Sequence, residues 1–216
     1  MAGAPELSLV FADAALLVLD KPGGLLAVPG RGADRQDCLA GRVQARYPDA
    51  LIVHRLDMAT SGLMAMARGP AAQRALGKAF AAREVNKRYI AVVSGRLEAP
   101  PEGWGIIDLP IIVDWPNRPR QIVDHTMGKA SLTRWRVVAH DPASGTTRVE
   151  LEPVTGRSHQ LRVHLAALGH PIVGDALYAP AAVQAQAPRL MLHACSLGFA
   201  HPETGARLVF ERPPPF

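Results

Sequence analysis

The chain has 216 residues, 48% apolar and 20% charged, a length of one domain or a domain with an appendage at roughly 150 residues each and a composition that excludes wholesale disorder. Lys and Arg number 24 against 19 Asp and Glu, a net charge of +5 that leans towards a polyanionic partner. Two cysteines, Cys38 and Cys195, exclude a disulfide framework and a four-thiolate metal site, and the longest apolar run, Ala14–Leu19, is far short of the ~20 residues of a membrane helix. The first basic residue is Lys21, so a signal peptide's positive n-region is missing and the expectation is a soluble protein of a reducing cytoplasm.

In chain order, Leu7–Phe11 and Leu16–Leu19 read as short strands, and Lys21-Pro22-Gly23-Gly24 forces a turn. Leu39, Val43 and Tyr47 recur every four residues within a helix predicted over 35–47. Leu51–Val53 and a second run carrying Leu63, Met64 and Met66 read as strands, with loop chemistry from Asp57 to Gly62 between them. Pro70 opens a helix through Arg83, and Tyr89–Val93 is β-branched and aromatic enough for a strand. Residues 100–129 read as irregular, broken by Pro100, Pro101, Pro110, Pro116, Pro119 and Gly128. Strands return at Leu132–Val138 and Thr147–Leu151. Ser158 is expected to cap a helix to about Leu168, stopped by Gly169 and Pro171, and Met191–Leu192 and Leu208–Phe210 close the chain as strands. Many strands with few long helices make an α+β domain.

Positive charge concentrates mid-chain. Seven basic residues between Arg68 and Arg96 face only Glu84, and five between Trp115 and Arg136 face only Asp124. A phosphate-tracking groove needs this distribution, and a solvated helix face also accounts for it.

Two stretches carry candidate chemistry. In His54-Arg55-Leu56-Asp57-Met58-Ala59-Thr60-Ser61-Gly62 a carboxylate follows a strand, beside an arginine and hydroxyls, in a turn closed by glycine. Asp57 there suits a nucleophile, although on spacing alone a turn residue bonding the amides of Thr60 or Ser61 is the plainer reading. In Gly156-Arg157-Ser158-His159-Gln160-Leu161-Arg162-Val163-His164, Arg162 lies one turn into a helix. Its guanidinium would hold a strand-end carboxylate ionised, and the helix start with Arg157 suits a phosphate. A surface arginine on an amphipathic helix is the plainer alternative.

Together with Lys87-Arg88-Tyr89, with Leu168-Gly169-His170-Pro171-Ile172-Val173-Gly174-Asp175-Ala176-Leu177-Tyr178 and with Pro188–Ala194, these stretches closely resemble the RluA-type pseudouridine synthases, from about Asp20 to the C-terminus. The resemblance implies that family's catalytic fold, a central, mostly antiparallel mixed sheet flanked by helices and loops, in a single domain over 1–216. Many relatives carry an N-terminal S4 RNA-binding domain. With the aspartate motif starting at residue 54, none is expected here. Ser158 stands where many relatives have threonine. The run Asp108–Pro119 is similar to members that modify both 23S rRNA, at U746, and the tRNA anticodon arm, at U32.

The implied reaction isomerises uridine to pseudouridine in RNA, with neither metal nor cofactor. By resemblance, Asp57 attacks the anomeric carbon or the uracil ring, or removes a ribose proton. Arg162 pairs with it, and Tyr89 is expected to stack on the uracil and, in a second role, to take the final ring proton. The uridine must leave its stack, which assigns Arg55 to the vacated space or a neighbouring phosphate. Lys87, Arg88, Arg118, Arg120 and Arg157 are expected on phosphates, and Leu192 against the flipped base. The expected partners are structured rRNA and tRNA stem-loops, without DNA or membrane, and the expected state is a monomer. The histidines show no metal-ligand spacing. A non-catalytic RNA-binding protein and a hydrolase using Ser61, His54 and Asp57 are the alternatives, the latter without a G-x-S-x-G elbow.

Overall fold

A computed structural model describes residues 7–216. Its strands are β1 (Leu9–Ala12), β2 (Leu16–Lys21), β3 (Ala50–Ile52), β4 (Ser61–Arg68), β5 (Asn86–Ser94), β6 (Gly105–Asp108), β7 (Ile111–Val113), β8 (Gln121–Val123), β9 (Leu132–Asp141), β10 (Thr146–Pro153), β11 (Leu192–Ala200) and β12 (Arg207–Glu211). The helices are α1 (Leu39–Arg46), α2 (Gly69–Ala81), α3 (Gln160–Ala167) and the single turn α4 (Ala181–Gln184). The class is α+β, as the sequence leads one to expect. Two compact units share the chain: the first runs to Asn86 and takes in Ala194–Pro213, and the second holds Lys87–His193 and Pro214–Phe216. No helix among the described residues is long and apolar enough to cross a membrane.

In the first unit the strands neighbour one another in the order β1-β2-β4-β11, with β3 also on β4 and β12 on β11. The β1–β2 turn forms because the Asp13 carboxylate accepts the amides of Ala15 and Leu16, both at 2.8 Å. Seven of the eight residues of β4 are buried, which is why it reads as a continuous apolar run rather than an alternating one. Pro70 occupies the first turn of α2. Ala72 and Leu76, one helical turn apart, bury against Leu63, Ala65 and Ala67 of β4 and Phe199 of β11. The helix predicted over 35–47 is shorter: α1 starts at Leu39, where the Cys38 sulfur accepts the Gly41 amide, and a separate 3-10 turn covers Ala33–Arg35.

The second unit is an antiparallel sheet in the order β5-β10-β9-β6, with α3 buried at every residue from Gln160 to Leu165. The segment 100–129 is more ordered than its prolines suggest. It supplies the edge strand β6, and β7 and β8 pair with each other as a separate hairpin. Three- and four-residue strands are too short to show period-2 alternation, and the prolines lie between them instead of inside.

Candidate active site

Asp57 lies in the first unit, in the turn leading into β4. The turn is fastened by main-chain groups: the Thr60 amide donates to the Asp57 carbonyl at 3.1 Å, and the Gly24 amide to the Met58 carbonyl at 2.8 Å. Lys21, 0% exposed, is the organiser that sequence reasoning missed. Its ammonium donates to the carbonyls of Pro22 and Leu25, both at 2.8 Å, and of Met58 at 3.1 Å. A lysine is fully buried only when its charge is satisfied. Here three carbonyl dipoles face the ammonium and tie the Lys21-Pro22-Gly23-Gly24 turn to the residue after Asp57. Downstream, Gly62 has φ +113°, and a Cβ there would lie 2.3 Å from the Ala194 carbonyl oxygen, so only glycine lets β4 approach this closely. Thr60 and Ser61 are buried, whereas Arg55 is exposed beside half-exposed Met58.

His54 is a packing residue. Its Nε2 accepts the Ala65 amide at 2.9 Å and its ring stacks on Phe80 at 4.4 Å between centroids. With that nitrogen engaged and Ser61 buried, a serine-hydrolase arrangement on this loop has neither an exposed nucleophile nor a base acting through Nε2.

Arg162 lies in the second unit, on α3. Its Nε and Nη2 donate to the two carboxylate oxygens of Asp175 at 2.8 and 2.6 Å. The guanidinium is 4% exposed and the carboxylate 0%, so the pair is a desolvated bidentate chelate. Asp175 also accepts the amides of Leu177 at 2.9 Å and Tyr178 at 3.2 Å, and the Tyr178 ring lies 5.0 Å from the Arg162 Cζ. Asp175 is a positioning residue absent from the sequence-based assignment. Its signal was the Gly174-Asp175 pair inside the quoted motif: Gly174 has φ +75°, and its Cβ would meet the Arg189 carbonyl at 1.9 Å.

The expected Ser158 cap is not the one observed. The residue preceding α3 is His159, in the left-handed region at φ 55° and with no side-chain cap bond. Gln160 does the fastening instead: Oε1 accepts from the Thr155 hydroxyl at 2.7 Å and the Arg157 amide at 3.0 Å, while Nε2 donates to the Leu132 carbonyl and the Thr133 hydroxyl, both at 3.0 Å. The Thr133 hydroxyl in turn contacts His164 Nδ1 at 2.9 Å, and His164 Nε2 contacts the Leu109 carbonyl at 3.0 Å. A carbonyl only accepts, so Nε2 carries the proton and Nδ1 accepts from threonine. Burial pushes the His164 pKa down against the smaller, opposing pull of the Leu109 bond.

Tyr89 sits on β5 opposite Leu151 of β10. Alternation puts Lys87 and Tyr89 on one face and Arg88 on the other. Lys87 is partly buried, and desolvation lowers its pKa. Arg88 joins an ion-pair row across the opposite face, contacting Glu150 at 3.2 Å; Arg136 also pairs with Glu150, and Arg134 with Glu152. Of the remaining expected RNA contacts, Arg118 and Arg120 lie on the loop of the β7–β8 hairpin and Arg157 before α3, all exposed. Arg157 Nε donates to the Ala130 carbonyl at 3.2 Å. Leu192, at the start of β11, is 3% exposed. Among the described residues no group of three or more His, Cys, Asp or Glu is placed to hold a metal ion.

A family model for RNA pseudouridylate synthases matches residues 15–167. The chain is 48% identical over 212 residues to the dual-specificity RNA pseudouridine synthase RluA of Escherichia coli K12, covering 98% of this chain and 95% of that protein. With the protein of the same name from Yersinia pestis the identity is 49% over 203 residues, covering 94% and 97%. Among solved structures, human RNA pseudouridylate synthase domain containing 1 is similar at TM-score 0.81 and 31% identity, covering 100% of this chain and 87% of that one.

Proposed function

We propose a substrate pair and a chemical route for a chain that belongs to the RluA family of RNA pseudouridine synthases and is therefore an isomerase acting on RNA uridines. The substrates are U746 of 23S rRNA and U32 of the tRNA anticodon arm. The support is the dual specificity for which relatives sharing 48% identity over nearly the whole chain are named. The chain is read as a single catalytic domain over residues 1–216.

Asp57 is the nucleophile. Its carboxylate attacks C1′ of the extruded uridine, the N1–C1′ bond breaks and its electron pair stays on the uracil. The ring turns and C5 attacks C1′, expelling the carboxylate. Loss of the C5 proton and protonation of N1 then give pseudouridine. Arg162 pairs with the Asp57 carboxylate and holds its orientation through this cycle. Tyr89 stacks on the uracil and its hydroxyl takes the C5 proton. No atom enters or leaves except protons, so the route calls for no metal or cofactor. Arg55 fills the space vacated by the uridine, Leu192 packs against the base, and Lys87, Arg88, Arg118, Arg120 and Arg157 engage phosphates at a cost in salt sensitivity.

One observation supports the role of Asp57 above all: its turn is locked on both sides, by the Lys21 ammonium on the Met58 carbonyl and by the close approach of Gly62 to Ala194. A nucleophile must be held in place before the substrate arrives. The test is tritium release from 5-³H-uridine in 23S rRNA and tRNA transcripts, supplied separately. Asp57→Asn should fold and bind both RNAs yet release no tritium above background. Turnover within tenfold of the wild type would remove Asp57 from the nucleophile role, and release from one RNA only would narrow the substrate.

A further inference from the structure

The loop Asp114-Trp115-Pro116-Asn117-Arg118-Pro119-Arg120 joins β7 to β8, and none of its features is used by the route above except two arginines assigned to phosphates. Trp115 is 62% exposed, although exposing an indole to water is unfavourable. Mobility does not explain the exposure, because the loop is closed by bonded turns. The Asp114 amide donates to the Arg120 carbonyl at 3.0 Å, the Asn117 amide to the Asp114 carbonyl at 3.1 Å, and the Arg120 amide to the Asn117 carbonyl at 3.0 Å. The Asn117 side chain adds a bond to the Asp114 carboxylate at 2.9 Å.

The indole is also oriented. Arg118 Cζ lies 3.6 Å from its ring centroid, the separation of a guanidinium in van der Waals contact with an aromatic face. One face is covered by a cation, and the exposed area belongs to the other face and the edge. The hairpin itself is anchored to the α3 end of the second unit. The Gln121 amide donates to the Tyr178 hydroxyl at 2.8 Å, that hydroxyl contacts His159 Nδ1 at 2.7 Å, and the Tyr178 ring has Arg120 and Arg162 over it at 5.6 and 5.0 Å. The loop bearing Trp115 and the helix bearing Arg162 are therefore fixed to one tyrosine.

We infer that Trp115, backed by Arg118, is a stacking platform for an unpaired RNA base that flanks the target uridine. A flat aromatic face beside two exposed arginines fits a base and its phosphate, since bases stack without regard to sequence and cations follow the backbone. Rigidity lowers the ordering cost of the contact. Through Tyr178 the platform also sets where the stacked base lies relative to α3, so it selects stem-loops whose loop length brings a base to Trp115.

This inference rests on the RNA-modifying reading, and its test separates the two. Stem-loops carrying 2-aminopurine at each unpaired position in turn are titrated with wild type, Trp115→Ala and Trp115→Phe, following fluorescence quenching, and the same variants are assayed by tritium release. Base–aromatic stacking predicts a rise in KM of about tenfold for Trp115→Ala with kcat unchanged, quenching lost at one position, and most of both restored by phenylalanine. An RNA abasic at that position should bind wild type and Trp115→Ala alike. Equal KM values for wild type and Trp115→Ala would overturn the platform, as would a penalty that persists on every abasic RNA. If the wild type releases no tritium from either RNA, the substrate reading fails, and quenching still judges the stack.

Discussion

The two units hold their principal charged groups by opposite means. In the first, the turn bearing Asp57 is fixed by backbone carbonyls converging on a buried lysine. In the second, Arg162 is fixed by a side-chain carboxylate that is itself tied down by two amides. A carbonyl cage constrains the path of a loop and leaves side-chain choice along it open. A bidentate chelate constrains one guanidinium in distance and plane. The first device fixes the path of a loop, the second the position of a single charged side chain.

Breaking the chelate is expected to have the larger effect. Asp175→Asn leaves a buried guanidinium opposite a neutral amide, and loss of one partner of a buried pair costs about 3–5 kcal/mol. In a chain of this size that is a fall in Tm of roughly 6–20 °C. With Arg162 free to shift by about an ångström, kcat should drop about 100-fold. Thermal melts and single-turnover tritium release would check both. A variant that melts with the wild type would show that the chelate does not hold Arg162.

Breaking the cage should cost less. Lys21→Met keeps the length of the side chain but takes the ammonium donor from the carbonyls of Pro22 and Leu25, about 0.5–3 kcal/mol for hydrogen bonds from a charged group. The Met58 carbonyl keeps the Gly24 amide, so the turn loosens instead of collapsing. The expected signature is a drop in kcat of about tenfold, KM unchanged, and a smaller loss of stability than for Asp175→Asn, read by denaturant titration. The reverse order would invert the comparison between the units.

The same contrast explains what sequence alone shows and conceals. The aspartate and arginine motifs were legible through their resemblance to the family's motifs, and each sets its candidate group near a glycine that a close approach demands, at Gly62 and Gly174. Lys21 passed as part of a turn, because nothing in Lys-Pro-Gly-Gly says that its ammonium is buried under a loop more than thirty residues away. Ser158 looked like the cap, yet a glutamine two residues on satisfies the same region through four bonds, two of them reaching Leu132 and Thr133 of β9, which local preference does not encode. β11 was read only at its first residue, the expected strand being Met191–Leu192: Leu192-His193-Ala194-Cys195-Ser196-Leu197-Gly198-Phe199-Ala200 does not alternate, and its pairing with β12 and β4 makes it a strand. The two mid-chain concentrations of charge divide the same way. Part of the arginine excess is spent in the row with Glu150 and Glu152, and part stays exposed on the β7–β8 loop.

The smallest effect separates the units by pH. In the second unit, His164 is 0% exposed and donates from Nε2 to the Leu109 carbonyl while Nδ1 accepts from Thr133. Protonating Nδ1 would break that second bond and bury a charge. The folded-state pKa is depressed below the ordinary 6.5, so the unfolded chain binds the proton first. The contribution is fully present above about pH 6.5 and is lost as pH falls through the folded value, at up to about 1.4 kcal/mol per pH unit. Hydrogen exchange resolved by segment should show α3 and β9 weakening between pH 6.5 and 5, before most carboxylates titrate. The carbonyls of Pro22, Leu25 and Met58 that accept from Lys21 do not titrate, and that turn should stay protected over the same range. His164→Gln, which keeps an N–H for Leu109, should flatten the α3 response. If α3 protection is unchanged down to pH 5, the proton chain through Thr133 does not control it.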